Sequence, residues 1–504
     1  MSQASTKKLE VAVVSVFAIW PSIHFVGANL ELGVNPGPIL IVGFITIILA
    51  LCLYFIVSKT LLGPVKSAAL AATTVFTFFG VQLSREFVQF LELDGGIISF
   101  WLIYSAILIV LSLMVNSYKR LSGMLTIGLV GVTVALLPIL VDVTNLNLPQ
   151  DKSQAVEKHH NFSKFVKRVD VYYLLVDTYL RNDVIKEISG FDNSVFVEAL
   201  GKRGFAFVPS ARSNYQLTKL SMPSTLMKRY LVTEGNAEFR SVREAGQLLK
   251  SGQGAFKFFK AANYQVITLG SMFCSKVSDY CINQGLYIHN DIITFLYSTP
   301  LPVIASYILP DSYLEILSTK DGDLKHFHKR LSRLGERKGE QQFVFAYTSE
   351  LHDTVFNAKC ELRPSLAIEH IQRMGFDDRQ NRSIEAYTES LKCTNKRLIK
   401  IVDLIIKRSP SSIIVIASDH GTQFTAREGK KPSPKEKFSV FSAWRLPEGC
   451  RENILPDLTN VNHFRLIESC LTGREFEPLE NRFYIGNYEE LAREGKLRRY
   501  FFDK

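Results

Sequence analysis

Apolar residues are distributed along the chain in two different ways, as long unbroken runs at the start and as short runs between polar turns afterwards. Five early stretches, Leu9 to Ala28, Gly37 to Val57, Lys66 to Leu83, Ile97 to Val115 and Ser122 to Val143, are each near the length of helix needed to cross a bilayer. Small residues and threonines dilute the third. A cleavable signal peptide is the alternative for the first, but no clear small-residue cleavage site follows it and four further segments do. Beyond about residue 145 the pattern is that of strands alternating with helices. Val169 to Val176, Phe205 to Pro209, Asn263 to Gly270, Gln342 to Thr348 and the apolar start of Ile413 to Phe424 read as strands. Helical patterns begin at Asp183 and near Lys219. A long amphipathic helix is expected over Ser383 to Arg408, with Ile384, Tyr387, Leu391, Leu398, Ile401, Val402 and Ile405 on its apolar side.

This pattern divides the chain into a transmembrane domain of five helices over residues 1–145, a linker or juxtamembrane helix over 146–168, and an α/β domain with a central, mostly parallel sheet over 169–504. His159 and His160 are expected as exposed linker residues rather than metal ligands, and Pro21, His24 and Pro138 as structural features of the spans. Ile292 to Leu309 is apolar enough for a buried helix, its expected role, or for a surface lying on the membrane.

Charge sets the orientation. Lys7, Lys8, Lys59, Lys66, Lys119 and Arg120 fall on one side of the spans, whereas the other side carries Arg85 beside Glu31, Glu86, Glu92 and Asp94. By the positive-inside rule the N-terminus is cytoplasmic, and five crossings place everything after about Asn145 outside. Only seven of the 59 Lys and Arg and six of the 48 Asp and Glu lie in the first 150 residues, so nearly all of the net +11 belongs to the outer domain. A basic surface there suits anionic lipid head groups, and its location argues against nucleic acid as a partner. Six cysteines in that domain fit a compartment where disulfides persist. Pairing of sequence neighbours would join Cys274 to Cys281, Cys360 to Cys393 and Cys450 to Cys470, one of 15 possible connectivities.

The chemistry-bearing residues stand at strand ends. Asp177 ends the first strand of the α/β domain, and Asp419, His420 and Gly421 end the strand that begins at Ile413, where open α/β sheets place ligands and metals. Asp419 and Gly421 could instead serve only a strand-to-loop turn, with His420 merely exposed. Thr218 stands at or just before a helix N-terminus, where it suits an N-cap or, compatibly, a nucleophile beside backbone N–H groups that favour a phosphoryl group.

The acid-ended first strand, the Thr-x-x-Ser-x-Pro segment at Thr218, Ser221 and Pro223, and Ser418 to Gly421 resemble the alkaline phosphatase and sulfatase superfamily. With the five N-terminal spans, the likeness is to its membrane-anchored branch of lipoteichoic acid synthases and lipid A phosphoethanolamine transferases. The resemblance implies a sulfatase-like domain that holds one divalent ion, Mn²⁺, Zn²⁺ or Mg²⁺, on Asp177, Thr218, Asp419 and His420, with Thr218 as nucleophile. Ser221 is a reserve nucleophile, although Thr225 occupies the position at which sulfatases carry Arg. His352 matches a family histidine that contacts the phosphate or leaving group, although it sits in Glu-Leu-His-Asp-Thr rather than the usual Gly-Ser-His-Gly-Pro, and an exposed loop His is the other reading. Arg427 and Lys431, in a basic loop, are substrate-binding candidates or simply solvated. His463, the remaining histidine after Asp-His-Gly, is expected to be structural, which favours one metal over two.

The resemblance therefore implies an enzyme of the bacterial inner membrane with a periplasmic catalytic domain. It would move phosphoethanolamine or phosphoglycerol from a membrane phospholipid to a surface glycan or lipid-linked saccharide through a phospho-Thr intermediate. A sulfatase or phosphodiesterase-type hydrolase is the alternative, and a catalytically silent membrane assembly protein is the second.

Overall fold

The structure is a computed structural model. It describes residues 3–29, 36–60, 62–80, 97–146, 165–233, 236–237, 248–249, 251–269, 275–282, 292, 295–296, 299–301, 324, 327–328, 331, 341–353, 356, 358–360, 384–422, 433–486 and 497–502. Two compact units divide the chain: residues 1–155 with 288–309 and 371–378, and residues 156–287 with 310–370 and 379–504.

In the first unit five helices occupy the five apolar stretches: α1 (Gln3–Asn29), α2 (Pro36–Val57), α3 (Gly63–Phe79), α4 (Ile97–Leu113) and α5 (Tyr118–Leu146). Three of them contain segments long and apolar enough to cross a membrane, Ala4–Gly27, Pro36–Val57 and Tyr118–Leu137, and α4 contributes a shorter apolar helix. Helix α1 is central and packs on α2, α3 and α5. Two devices hold it. At one end Glu10, 4% exposed, accepts hydrogen bonds from Tyr54 of α2 (2.6 Å) and Tyr118 of α5 (2.9 Å). Further along, Gly128 and Gly131 of α5 leave room for Phe17 and Trp20, so the helices approach closely, as small residues permit in membranes.

A Cβ at Gly131 would overlap the Trp20 indole, which is itself locked against Phe17 and Phe76. Gly131→Val is therefore expected to destabilise the bundle by about 1–3 kcal/mol, the usual range for overpacking. Thermal melting of the full chain in detergent measures it, and melting unchanged from wild type would count against this contact.

The apolar segment near residue 295 belongs to this unit. Phe295 is buried in a cluster with Phe25, Val26, Ile39 and Val42, and its ring meets Phe25 edge-on with centroids 5.2 Å apart. Around Phe295 the described residues are helical and Phe295 is buried, in keeping with the expected buried helix, and its cover comes from α1 and α2: an apolar run signals burial but not which apolar partners will provide it.

The second unit is built on a seven-stranded sheet. Its strands are β1 (Val171–Val176), β2 (Ala206–Phe207), β3 (Gln265–Leu269), β4 (Tyr280–Ile282), β5 (Gln342–Thr348), β6 (Ile413–Ala417) and β7 (Ser442–Arg445), in spatial order β2-β7-β6-β1-β5-β3-β4. All pairings from β6 through β1, β5 and β3 to β4 are parallel, whereas β7 runs antiparallel to β6 and to β2. Strands β1, β5 and β6 are buried on both faces, which explains their unbroken apolar sequences.

Helices cover both faces: α6 (Asn182–Ser189), α7 (Ser194–Gly201), α8 (Thr218–Met227), α9 (Ala255–Ala261), α10 (Glu350–Asp353), α11 (Ile384–Arg408), α12 (Pro434–Phe438) and α13 (His463–Thr472). Alternation along β1 assigns the faces. Tyr173 and Leu175 pack with Phe259 of α9 and Phe464 and Ile467 of α13, while Tyr172, Leu174 and Val176 pack with Leu398, Ile401 and Val402 of α11. Disulfides Cys360–Cys393 and Cys450–Cys470 are formed, as neighbour pairing expects. Cys281 is also disulfide-bonded, and Cys274 lies outside the described residues.

Candidate metal centre

Strand register brings the acids together. Leu175 of β1 stands level with Ala417 of β6, so Asp177 and Asp419, each two residues further on, leave adjacent parallel strands at the same height. His420 follows directly. Each carboxylate places one oxygen 3.6 Å from His420 Nε2, and one ligand atom from each of the three residues lies within 4.8 Å of the others.

Thr218 completes the cluster from a separate element. It is the first residue of α8, and Leu217, not Thr218, occupies the N-cap position, with no side-chain cap. The capping role considered from sequence is thus not the one adopted. Thr218 Oγ1 instead lies 2.9 Å from His420 Nε2. His420 Nδ1 lies 2.7 Å from the Gly421 carbonyl, which can only accept, so the proton belongs on Nδ1 and the Nε2 lone pair faces the cluster.

A divalent cation fits this donor set. Asp419 is 1% exposed, and neither of its carboxylate oxygens has a hydrogen-bond donor among the described residues. A buried carboxylate without donors is strongly disfavoured unless a cation compensates it. Two carboxylates, one imidazole nitrogen with its lone pair directed inward and one hydroxyl are ligands that Mn²⁺, Mg²⁺ and Zn²⁺ share.

The loops carrying these groups are tightly tied. Ser418 Oγ accepts from the Tyr179 N–H (2.9 Å) and donates to the His420 carbonyl (3.0 Å), stitching the ends of β1 and β6 together. Ser221 Oγ donates to the Asp419 carbonyl (2.5 Å), and Asn460 Nδ2 donates to the Ser418 and Asp419 carbonyls (2.9 and 3.2 Å). Ser221 is buried and turned to the backbone, which suits a positioning group better than a reserve nucleophile. Thr178, beside Asp177, holds φ +59°, a left-handed conformation rare for a β-branched residue, and its carbonyl is anchored by Tyr387 Oη at 3.0 Å. The Gly421 N–H donates to the Lys437 carbonyl (2.9 Å), and a Cβ at Gly421 would collide with the Glu436 carbonyl.

Of the remaining candidates, His352 lies on α10 directly after β5, but its side chain is outside the described residues, as are Arg427 and Lys431. Glu350, at the start of α10, is buried and bonded to Arg397 of α11 (2.8 Å) and to the Leu324 N–H (2.6 Å), so the segment bearing His352 is fixed at its origin. Ser418 belongs to the motif that ends at Gly421, whereas Tyr347 and Asn460 carry no local sequence signal for the site. Their contribution depends on strand register and on contacts across 170 residues or more in the case of Tyr347, to which local patterns are blind.

His463 is fully buried, as its structural assignment expects. Its Nδ1 lies 2.8 Å from Tyr173 Oη, and the Trp444 ring stands edge-on to it at 4.9 Å between centroids. Burial pushes its pKa down from 6.5 to about 3. Burial, reinforced by the Asp419 charge, pushes the Tyr173 phenol far upward, so this pair is neutral in the fold. The unfolded chain takes up a proton on His463 below about pH 6.5 while the folded chain does not, so stability is retained above that pH and falls as pH drops towards 3. The expected loss approaches about 1.4 kcal/mol per pH unit in this window. Denaturant titrations of wild type and His463→Gln between pH 7 and 5 test it, and equal slopes for the two proteins would refute it.

No family model matches the chain, and no curated protein does. Solved structures do. The C-terminal periplasmic domain of EptC from Escherichia coli, in complex with Zn, is 11% identical over 67% of this chain and 94% of that one, with a TM-score of 0.42. The integral membrane lipooligosaccharide phosphoethanolamine transferase A (EptA) from Neisseria meningitidis is 12% identical over 92% of this chain and 95% of its own, with a TM-score of 0.37. A protein in the alkaline phosphatase superfamily from Vibrio parahaemolyticus is 12% identical over 64% and 74%, with a TM-score of 0.35. The solved structures to which this chain is similar thus include phosphoethanolamine transferases and a member of the alkaline phosphatase superfamily.

Proposed function

We propose that the chain is a metal-dependent transferase that moves phosphoethanolamine or phosphoglycerol from a membrane phospholipid to a surface glycan or lipid-linked saccharide. The observation that carries this reading is the Thr218 hydroxyl, 2.9 Å from His420 Nε2 and converging with two buried carboxylates at the C-terminal edge of the sheet. Asp177, Asp419, His420 Nε2 and Thr218 Oγ1 would hold one divalent ion. When bound, that ion supplies positive charge that makes the Thr218 hydroxyl more acidic and neutralises charge on the transferring group.

The chain's own residues account for the rest. Thr218 Oγ attacks phosphorus in line; the bond from phosphorus to the diacylglycerol oxygen breaks, and diacylglycerol leaves carrying the proton that Thr218 gave up. An acceptor hydroxyl then attacks the same phosphorus and Thr218 Oγ leaves, regaining a proton. The position of Thr218 at the start of α8 adds a favourable helix dipole for the phosphoryl oxygens. Apolar helices in the first 146 residues support a lipid donor, and with five spans and a cytoplasmic N-terminus the catalytic domain stands in the periplasm.

Incubation of the purified full chain and Mn²⁺ or Zn²⁺ with labelled phosphatidylethanolamine or phosphatidylglycerol tests the reading. Peptide mass spectrometry is expected to find ethanolamine phosphate or glycerol phosphate on Thr218. Absence of either adduct despite bound metal would overturn the transferase reading. Rapid release of the free phosphoester to water would favour a hydrolase.

A further inference from the structure

We propose that Tyr347 is the positioning residue that fixes which oxygen of Asp177 faces the metal, an inference that rests on the reading of Asp177 as a ligand. Tyr347 is 2% exposed on β5, and its hydroxyl donates to Asp177 Oδ2 at 2.6 Å. The oxygen 3.6 Å from His420 Nε2 is the other one, Oδ1. The two oxygens of one carboxylate therefore have separate duties: Oδ2 is held by the phenol and Oδ1 is presented to the cluster.

Strand pairing makes this arrangement rigid. Tyr347 stands level with Leu175, so its side chain shares a sheet face with Leu175 and with Asp177 two residues on. The Asp177 N–H donates to the Thr348 carbonyl at 2.9 Å, so β5 grips both the backbone and the side chain of the same residue. A charge-assisted hydrogen bond of this length is among the stronger ones available to a carboxylate. Without the hydroxyl the carboxylate can rotate about its last bond and offer both oxygens to the ion, changing ligand number and charge donation together.

Partners of this kind typically alter metal affinity by about 10–100-fold when removed. Tyr347→Phe in the full chain is expected to weaken Zn²⁺ binding by about that factor in a chelator competition, while the metal-free protein stays folded and melts a few degrees lower, because a buried oxygen of Asp177 loses its donor. The Co²⁺-loaded variant should show shifted absorption bands, a readout that loss of packing alone does not produce. Wild-type affinity together with unshifted bands would overturn the proposal. Asp177→Asn separates the two levels of inference. If it loses the ion while Tyr347→Phe binds normally, only the role of Tyr347 falls; if it binds like wild type, the metal-site reading falls as well. Should the phenylalanine variant fail to fold, fluorinated tyrosine at 347 keeps the ring and strengthens the donor. Unmoved Co²⁺ bands with that residue would overturn the proposal, and shifted bands would support it.

Discussion

Thr218→Ala, and the closer isostere Thr218→Val, should turn over donor lipid at least about 10⁴-fold more slowly than wild type and form no covalent adduct. The hydroxyl is placed for this role by two features that do not depend on each other. Helix α8 begins at Thr218, so the side chain projects from a helix end rather than from a flexible loop. Its Oγ1 is turned towards His420 Nε2, 2.9 Å away, and so into the cluster where the ion would be held. The neighbouring hydroxyl of Ser221 cannot substitute, because it is buried and donates to the Asp419 carbonyl. The stability change should be small, about 1 kcal/mol for one hydrogen bond, so the loss of activity and the melting temperature should separate cleanly. Thr218→Ser keeps the oxygen and should retain measurable turnover. Near-normal activity in the alanine variant would refute the assignment of the nucleophile.

Much of this site could be read from residues alone, for a physical reason. A parallel strand buried on both faces is written as an uninterrupted apolar run, so the first polar residue after it marks the sheet's C-terminal edge. Asp177 after Val171–Val176 is such a residue, and after Ile413–Ala417 the polar run opens with Ser418 and Asp419. The order in which strands lie side by side is not written locally. That β1 lies between β5 and β6 decides that Asp177 meets Asp419 on one flank and Tyr347 on the other. The same limit explains the segment near Phe295, whose hydrophobicity was visible but whose partners on α1 and α2 lie more than 250 residues earlier. It also explains Thr218, where a threonine beside a helix start fits a cap equally well until Leu217 is found in the capping position.

Removal of the charge at residue 419 should have opposite consequences for metal binding and for the stability of the metal-free fold. Asp177 and Asp419 present oxygens within 4.8 Å of each other, and at an effective dielectric constant of about 20 two unit charges so placed repel by about 3 kcal/mol. Asp419 carries the greater burden, since neither of its buried oxygens has a donor among the described residues. A divalent cation relieves both problems at once, and a site occupied at 100 times its dissociation constant stabilises the fold by about 2.7 kcal/mol. Asp419→Asn keeps the shape, removes one of the two charges and removes a strong ligand. The metal-free variant should accordingly melt no lower than metal-free wild type, whereas added Mn²⁺ or Zn²⁺ should raise the melting temperature of wild type by several degrees and leave the variant unmoved. Loss of turnover should accompany the loss of metal response. A metal-free variant melting well below wild type would mean that the Asp419 carboxylate is compensated without an ion, and that the cluster is built for something other than a cation.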